Sequence, residues 1–476
     1  MSENMIKDSQ DGFEYEASLK YMLKLSGPMV VTNISFTAMQ FIDRFMVSRL
    51  GTESLAAVLP AAMVSFLPSS LLLGIMTCVN TFVSQSLGRK KYGDCSNYCW
   101  QAIIMGFLYS AVSLAIMWPA AGWIFRVMGQ PEEIIDLEVV YLRVMLYSQF
   151  LAVFIWSSSQ FFMGIHRPIV TMWAAIVEQI VNVFFNYLLI FGHFGFPRMG
   201  IAGAAWGTFI GMAVGSVIRM AAFLFGGINE RYESRKSFGI DLPRILDLVK
   251  IGLPAGLALM IGVAAWGTIL FGLIGRFGKE PLAATGAVLS CMNVSFMPIV
   301  GISTALTAAV GKSIGSGRKE LAMKQTSVCV RIAFVYMGFI GICFFLFRGP
   351  IMEFWAPFDD KVVTAGTNIL IFAALFQFFD ALAIIYIGAL RGAGDTAWLA
   401  GVSAIAAILI LGAGGFLVVA LMPGLGASGP WAAALAEIMF VGLANRWRFK
   451  SKKWMRIDLF KRRVVKMAGE IEPVVE

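Results

Sequence analysis

Residues 49–57 read Arg-Leu-Gly-Thr-Glu-Ser-Leu-Ala-Ala, and residues 276–284 read Arg-Phe-Gly-Lys-Glu-Pro-Leu-Ala-Ala. Arg49, Gly51 and the run Leu55-Ala-Ala57 all fall on their counterparts at a single shift of 227 residues. The same shift carries Gly74 onto Gly301, Thr77 onto Thr304, and Ser86-Leu-Gly88 onto Ser313-Ile-Gly315. A shift of 226 carries Pro28 onto Pro254, and Gly200-x-x-Gly203 onto Gly426-x-x-Gly429, each followed closely by a tryptophan, Trp206 or Trp431. Small and apolar residues coincide by chance in apolar chains. An offset this constant over several motifs indicates two halves of one design.

The halves are built of apolar sequence. Of 476 residues, 58% are hydrophobic and 14% charged, whereas soluble chains average about 45–50% apolar and about 25% charged. That excludes a soluble enzyme, which would need more surface charge, and a disordered chain. A membrane-spanning helix takes about 20 apolar residues. Read between polar and Gly/Pro breaks, the chain gives twelve spans, near 26–49, 54–86, 97–125, 137–163, 168–192, 200–226, 246–275, 282–314, 322–348, 362–390, 396–421 and 427–446. The Lys/Arg census fits this count. Arg89, Lys90 and Lys91 lie between spans two and three, Arg231, Arg235, Lys236, Arg244 and Lys250 around the join of spans six and seven, and Arg318, Lys319 and Lys324 after span eight. Loops on the other side hold one or two basic residues, or none. By the positive-inside bias both termini are expected in the cytoplasm. Six spans per half is an even number, so both halves enter from the same side and the repeats are parallel.

The expected fold is therefore an all-α membrane protein, with twelve transmembrane helices in two six-helix parallel-repeat lobes around a central cavity. Its parts are a cytoplasmic segment 1–25, an N-terminal lobe 26–227, a connector 228–245, a C-terminal lobe 246–446 and a basic tail 447–476. The net charge of +9 comes largely from that tail: ten Lys or Arg from Arg446 onward face four acids. A basic run after a hydrophobic span reads as a cytoplasmic membrane flank, and with no recognition module beside it no nucleic-acid partner is expected. The first twenty residues are polar and acidic, so no cleavable leader is expected either. Two His and no CxxC pair make no metal site. Gly311-Lys-Ser313 mimics the end of a P-loop but lacks its first glycine and a preceding strand, and Gly424-x-Gly426-x-x-Gly429 lacks a βαβ context. No nucleotide cofactor and no enzyme follow from these residues.

Several longer motifs carry a resemblance. These are Leu25-Ser-Gly-Pro28, Asp43 through Arg49-Leu-Gly51, Ser84-Gln-Ser-Leu-Gly88, Asn182-x-x-x-Asn186-Tyr-Leu-Leu-Ile-Phe-Gly192, Gly200-Ile-Ala-Gly-Ala-Ala-Trp206, and Asp380 through Gly388-Ala-Leu-Arg-Gly-Ala-Gly-Asp395. Over about residues 20–450 the chain resembles the multidrug and toxic compound extrusion (MATE) transporters. The resemblance implies a monomeric, multi-pass protein of the cell inner membrane that exports organic cations in exchange for H⁺ or Na⁺ by alternating access. A flippase for lipid-linked saccharides, from the same superfamily, is the alternative; an anionic substrate would call for a cavity lined with Arg and Lys.

Acids inside a membrane are costly and mark function by default. Four lie well inside the spans, away from their ends: Asp43, Glu178, Asp380 and Glu437. Glu178, Asn182 and Asn186 are spaced i, i+4, i+8, which puts them on one helix face. A carboxylate among apolar groups suits a proton, and one with amide oxygens suits a hard cation such as Na⁺. Asp43, Glu178, Asn182 and Asn186 are the expected coupling group, with Asp43 and Asn182 the place for Na⁺ if Na⁺ is used; the resemblance implies the role of Asp43. The competing reading of Asp43 is an ion pair with Arg44 or Arg143, and that of Glu178 is a clasp between helices. Asp380 sits in Phe376-Gln-Phe-Phe-Asp, where a charge beside ring faces suits an organic cation. Asp380, Gln377 and Phe376 are the expected substrate residues, and Glu437 is a further candidate. In the resembled family's bacterial branch a Glu stands eight residues after the proline of the seventh span. Here that position is Gly262, and no acid lies between Lys250 and Glu280, so the second-half cation site is expected to lack a ligand.

Overall fold

The computed structural model describes residues 12–357 and 359–460. The outer parts of the expected terminal segments, 1–11 and 461–476, lie outside them. Twelve long helices run in order: α1 Leu19–Ser48, α2 Thr52–Gly88, α3 Tyr92–Val127, α4 Glu132–Gly164, α5 Pro168–Phe191, α6 Ile201–Leu224, α7 Leu242–Phe277, α8 Lys279–Gly315, α9 Lys319–Leu346, α10 Asp360–Ala393, α11 Thr396–Leu421 and α12 Gly429–Lys450. Each overlaps one expected span, and most extend a few residues further into the loops. All but α1 are long and apolar enough by themselves to cross a membrane. α1 is 30 residues, about 45 Å at 1.5 Å per residue, but Thr32, Asn33, Ser35, Thr37 and Gln40 interrupt its apolar surface.

The repeated glycines have a conformational reason. Gly51 and Gly278 precede α2 and α8 with φ of 116° and 108°, backbone that a residue with a Cβ avoids. Gly200 and Gly426, before α6 and α12, repeat the correspondence at φ 56° and 51°. The two halves thus turn their helices with the same glycine-only geometry. They differ within the membrane: α7 carries a π-helical stretch at Ala265–Leu270 and α11 a longer one at Ala406–Gly414, whereas α1 and α5, their counterparts, are continuous α-helix.

Helices α1–α6 form one lobe and α7–α12 the other. Between them runs a connector with a short helix, Gly226–Tyr232. The start of α1 and the end of α12 lie at one end of the bundle, the tail end, and the lobes meet there. Small residues let backbones touch: a Cβ on Gly88 or Gly315 would overlap the opposing backbone at Lys312 or Gln85, and one on Gly311 would overlap the Ser84 side chain. Thr81 Oγ1 donates to the Arg391 carbonyl at 2.9 Å and Gln85 Nε2 to that of Gly392 at 3.0 Å. Arg244 of α7 pairs with Asp94 of α3. The chain after α12 straps the seam: Trp454 stacks on Phe449 in one lobe, and Phe460 packs on Phe82 and Tyr98 in the other. Arg89 pairs with Asp458 at 2.8 Å. Toward the opposite end the buried apolar clusters belong to one lobe each, around Phe125 and Leu142 in the first and around Trp431 and Ile369 in the second. The buried apolar clusters that join the two lobes therefore lie toward the tail end.

Glu16 adds a charged latch to the seam, accepting from Lys312 at 2.7 Å and Arg318 at 2.6 Å. Burial works against its charge, but the two cations outweigh that and hold its carboxyl below the usual carboxylate range. A group so lowered favours the closed seam above the free-Glu value of about 4.3 and ceases to do so as pH falls through its lowered value. Spin-label distances across the tail face should therefore lengthen in acid for the wild type. In Glu16→Gln they should be longer already at neutral pH and respond less to acid; identical titrations of the two would remove Glu16 from the seam.

Candidate functional site

α5 presents its polar stripe to a stripe of glycines. Gly203, Gly207, Gly211 and Gly215 recur every four residues along α6. A Cβ on Gly207 would overlap the Asn186 amide, one on Gly211 would press on Asn182, and one on Gly215 would strike the Glu178 carboxylate. Small residues at four-residue spacing let two membrane helices approach closely. Glu178, Asn182 and Asn186 do share a face, but that face is packed on α6.

The three residues then part in role. Glu178 Oε2 accepts from Arg219 Nη1 of α6 at 2.8 Å, with the two side chains 13% and 2% exposed. Its geometry is the helix clasp, and it is not gathered with Asp43 in one cavity. Asn182 Nδ2 donates to Thr208 Oγ1 at 3.2 Å, and Asn186 Nδ2 lies 3.3 Å from Asn182 Oδ1. Asn186 Nδ2 also donates to Asp43 Oδ1 at 2.7 Å. Asp43 thus ends a chain of neutral groups, Thr208, Asn182, Asn186, with the Tyr141 ring of α4 within electrostatic reach. Neither rival cation neutralises it: Arg44 is exposed with no ion pair among the described residues, and Arg143 lies over the Trp118 ring at 4.8 Å. The buried Asn186 Oδ1 has no hydrogen-bond partner among the described residues and faces Gly207 of α6. Between α1 and α5 an apolar groove of about 630 Å³ includes Met39, Ile42 and Met46, which flank Asp43 along α1.

In the second lobe, Asp380 of α10 is 6% exposed. Its charged neighbour is Glu437 of α12, and among the described residues no cation pairs with either. Glu437, a lone candidate in the sequence, thus joins Asp380 in one acidic pair. Gln377 Oε1 accepts from Ser295 Oγ at 3.1 Å, and Phe376 meets Trp266 edge-on at 5.8 Å. A Cβ built on Gly262 meets nothing within 4 Å, so the position of the missing acid faces open space.

Sequence reasoning missed Arg219 and Glu138. Arg219 is legible in the sequence as the lone cation inside the sixth span. Glu138, three residues before Tyr141 on α4, is fully buried, and neither of its oxygens has a hydrogen-bond partner among the described residues; it sits at the second residue of an expected span, where an acid reads as the helix end. The clasp makes its own prediction. Removing one partner of a buried pair leaves an uncompensated charge and costs about 3–5 kcal/mol. Arg219→Leu should therefore sharply lower the thermal midpoint, and adding Glu178→Leu should restore most of it. A single variant as stable as wild type would show that the pair does not hold α5 to α6.

The architecture matches that of known proteins. A family model, MatE, matches residues 28–188 and 254–413, one block in each lobe. A "Probable multidrug resistance protein NorM" of Mesorhizobium japonicum is 29% identical over 409 residues, covering 80% of this chain and 83% of its own length. The "Multidrug resistance protein PmpM" of Pseudomonas aeruginosa is 28% identical over 393 residues, covering 81% and 80%. Among solved structures, a MOP superfamily transporter from Pyrococcus furiosus superposes with a TM-score of 0.84 over 94% of this chain and 99% of that one, at 20% identity. With its family model matched in both halves and the twelve-helix fold in place, the chain belongs to the MATE family of membrane transporters.

Proposed function

We propose that the protein is a secondary antiporter that exports organic cations and drugs across the inner membrane in exchange for protons. The observation that carries this reading is the contrast between the two first-lobe carboxylates. Glu178 has a fixed cation partner in Arg219, whereas among the described residues Asp43 has only the neutral Asn186. A carboxylate with no resident counter-charge can exchange its counter-ion; one with a permanent partner cannot do so without breaking a buried pair. Asp43 is the coupling group, Asn182 and Asn186 hold it, and Glu178 holds α5 to α6. Asp380 and Glu437, with Phe376 and Gln377 beside them, supply the charge and ring face that a flat organic cation requires. The acidic pair in the second lobe also weighs against an anionic lipid-linked substrate.

Protons rather than Na⁺ are favoured by the empty position at Gly262, because a hard cation binds weakly when oxygen ligands are missing. The basic loops favour a cytoplasmic tail end; in that orientation lobes joined at the tail end correspond to an outward-open state. Inverted vesicles should accumulate a fluorescent organic cation under a ΔpH alone in Na⁺-free buffer. The idea is falsified if uptake is absent without Na⁺ and is restored by a Na⁺ gradient alone.

A further inference from the structure

A second cavity lies at the tail end, across the seam from the sites above. It measures about 380 Å³ and is walled by Lys90, Arg167 and Arg231 of the first lobe and its connector, and by Lys312 and Arg318 of the second, with Tyr92, His166 and Tyr232 between them. Five cationic side chains converge on one space. The carboxylate of Glu16 engages two of them, Lys312 and Arg318. Glu233 lies nearby against Gly93. Lys90 and Arg167 have no ion pair among the described residues, and Arg231 has only its contacts with the Tyr92 and Tyr232 rings and the Tyr92 hydroxyl. His166 is already committed, to the Tyr21 hydroxyl at 2.9 Å and the Ala308 carbonyl at 3.3 Å.

The backbone adds to this field. Three long helices begin at the cavity wall: α3 at Tyr92, α5 just after Arg167 and α9 just after Arg318. None of the three has a side-chain cap. The first N–H groups of a helix lack partners within it and carry the positive end of its dipole, which is where anions bind. Two non-glycine residues on the wall, Lys90 and His166, also hold left-handed backbone, at φ 60° and 61°, a cost that persists where surrounding structure requires the placement.

We infer that this cavity is a binding site for a phosphate-bearing anion, either a free phosphate or the headgroup of an anionic lipid. Cations spread over two lobes repel one another when the seam closes. An anion with several acceptor oxygens reverses that, bridging Lys90, Arg167 and Arg231 to Lys312 and Arg318 by charge-assisted hydrogen bonds. The site is complete only while the tail face is closed. Its occupant therefore stabilises the closed tail face, independently of which ion drives transport.

The test uses the full-length protein. In detergent, inorganic orthophosphate should raise the thermal midpoint above that in sodium chloride of matched ionic strength. In nanodiscs, adding phosphatidylglycerol to phosphatidylcholine should raise it as well if a headgroup can occupy the site. Arg167→Gln with Arg231→Gln should shift the half-saturating concentration upward by at least about tenfold, whereas Arg167→Lys with Arg231→Lys, which keeps both charges, should retain most of the response. A response to orthophosphate alone assigns the site to a free anion, and one to phosphatidylglycerol alone assigns it to a lipid headgroup. No response in either arm, or an undiminished response in the double Gln variant, would overturn the site.

Discussion

Asp43→Asn should reduce driven efflux to the level of protein-free vesicles while the protein still folds and inserts. The substitution keeps the shape of the side chain and leaves an oxygen to accept from Asn186 Nδ2, which reaches Asp43 at 2.7 Å. What it removes is the charge that exchanges with the driving ion. Transport against a gradient needs a group whose state differs between the two faces, because a ligand with equal affinity for both conformations shifts neither. Downhill leak through the variant can persist; uphill export cannot. The neighbouring Arg44→Gln is the control: Arg44 is exposed and forms no ion pair among the described residues, so its loss should change efflux by less than about threefold, under 1 kcal/mol. Uphill efflux by Asp43→Asn at wild-type level, with matched expression, would remove Asp43 from the coupling step.

How much of this could be read from the residues follows from what each kind of evidence reports. The repeat was legible because Gly51, Gly278, Gly200 and Gly426 occupy backbone that only glycine adopts comfortably, so both halves had to keep them. The spans were legible because a bilayer fixes how much apolar chain a helix needs. The direction of the α5 stripe was not. Spacing shows that Glu178, Asn182 and Asn186 share a face, but which neighbour that face meets depends on α6, whose four-residue glycine stripe was visible yet not paired with it. Paired with Arg219, that stripe would have marked Glu178 as a clasp. The partnership of Asp380 with Glu437 was likewise hidden, since 57 residues of chain separate them and only the packing of α10 on α12 brings them together. The π-helical stretches of α7 and α11 carry no local sequence signal of their own, and the basic tail-end cavity is assembled from four separate stretches of the chain.

The second-lobe acids should govern what is carried more than what drives it. Asp380 and Glu437 lie within electrostatic reach of each other with no cation paired to either among the described residues, so an organic cation entering there is met by charge that no ion pair neutralises. Charged hydrogen bonds contribute about 1.5–3 kcal/mol, so Asp380→Asn should weaken binding of a cationic substrate by about 10- to 100-fold and change that of a neutral one by less than about threefold. Equal losses for both would mean that Asp380 shapes the lobe instead of pairing with the substrate. Gly262 allows the complementary gain. Trp266 lies one turn beyond Gly262 along α7, which runs away from the tail end, and its ring meets Phe376. Asp380 lies one turn beyond Phe376 along α10, which runs back toward the tail end, so Gly262 and Asp380 stand at the same level. Because a side chain at 262 enters open space, Gly262→Glu should add a third carboxylate to the pair without displacing a neighbour. Three carboxylates supply the oxygen ligands that a hard cation requires. The variant should therefore acquire a Na⁺-dependent rise in thermal midpoint that wild type lacks, and adding Asp380→Asn should abolish that rise. A folded Gly262→Glu protein that ignores Na⁺ would show that the second lobe lacks more than this one ligand.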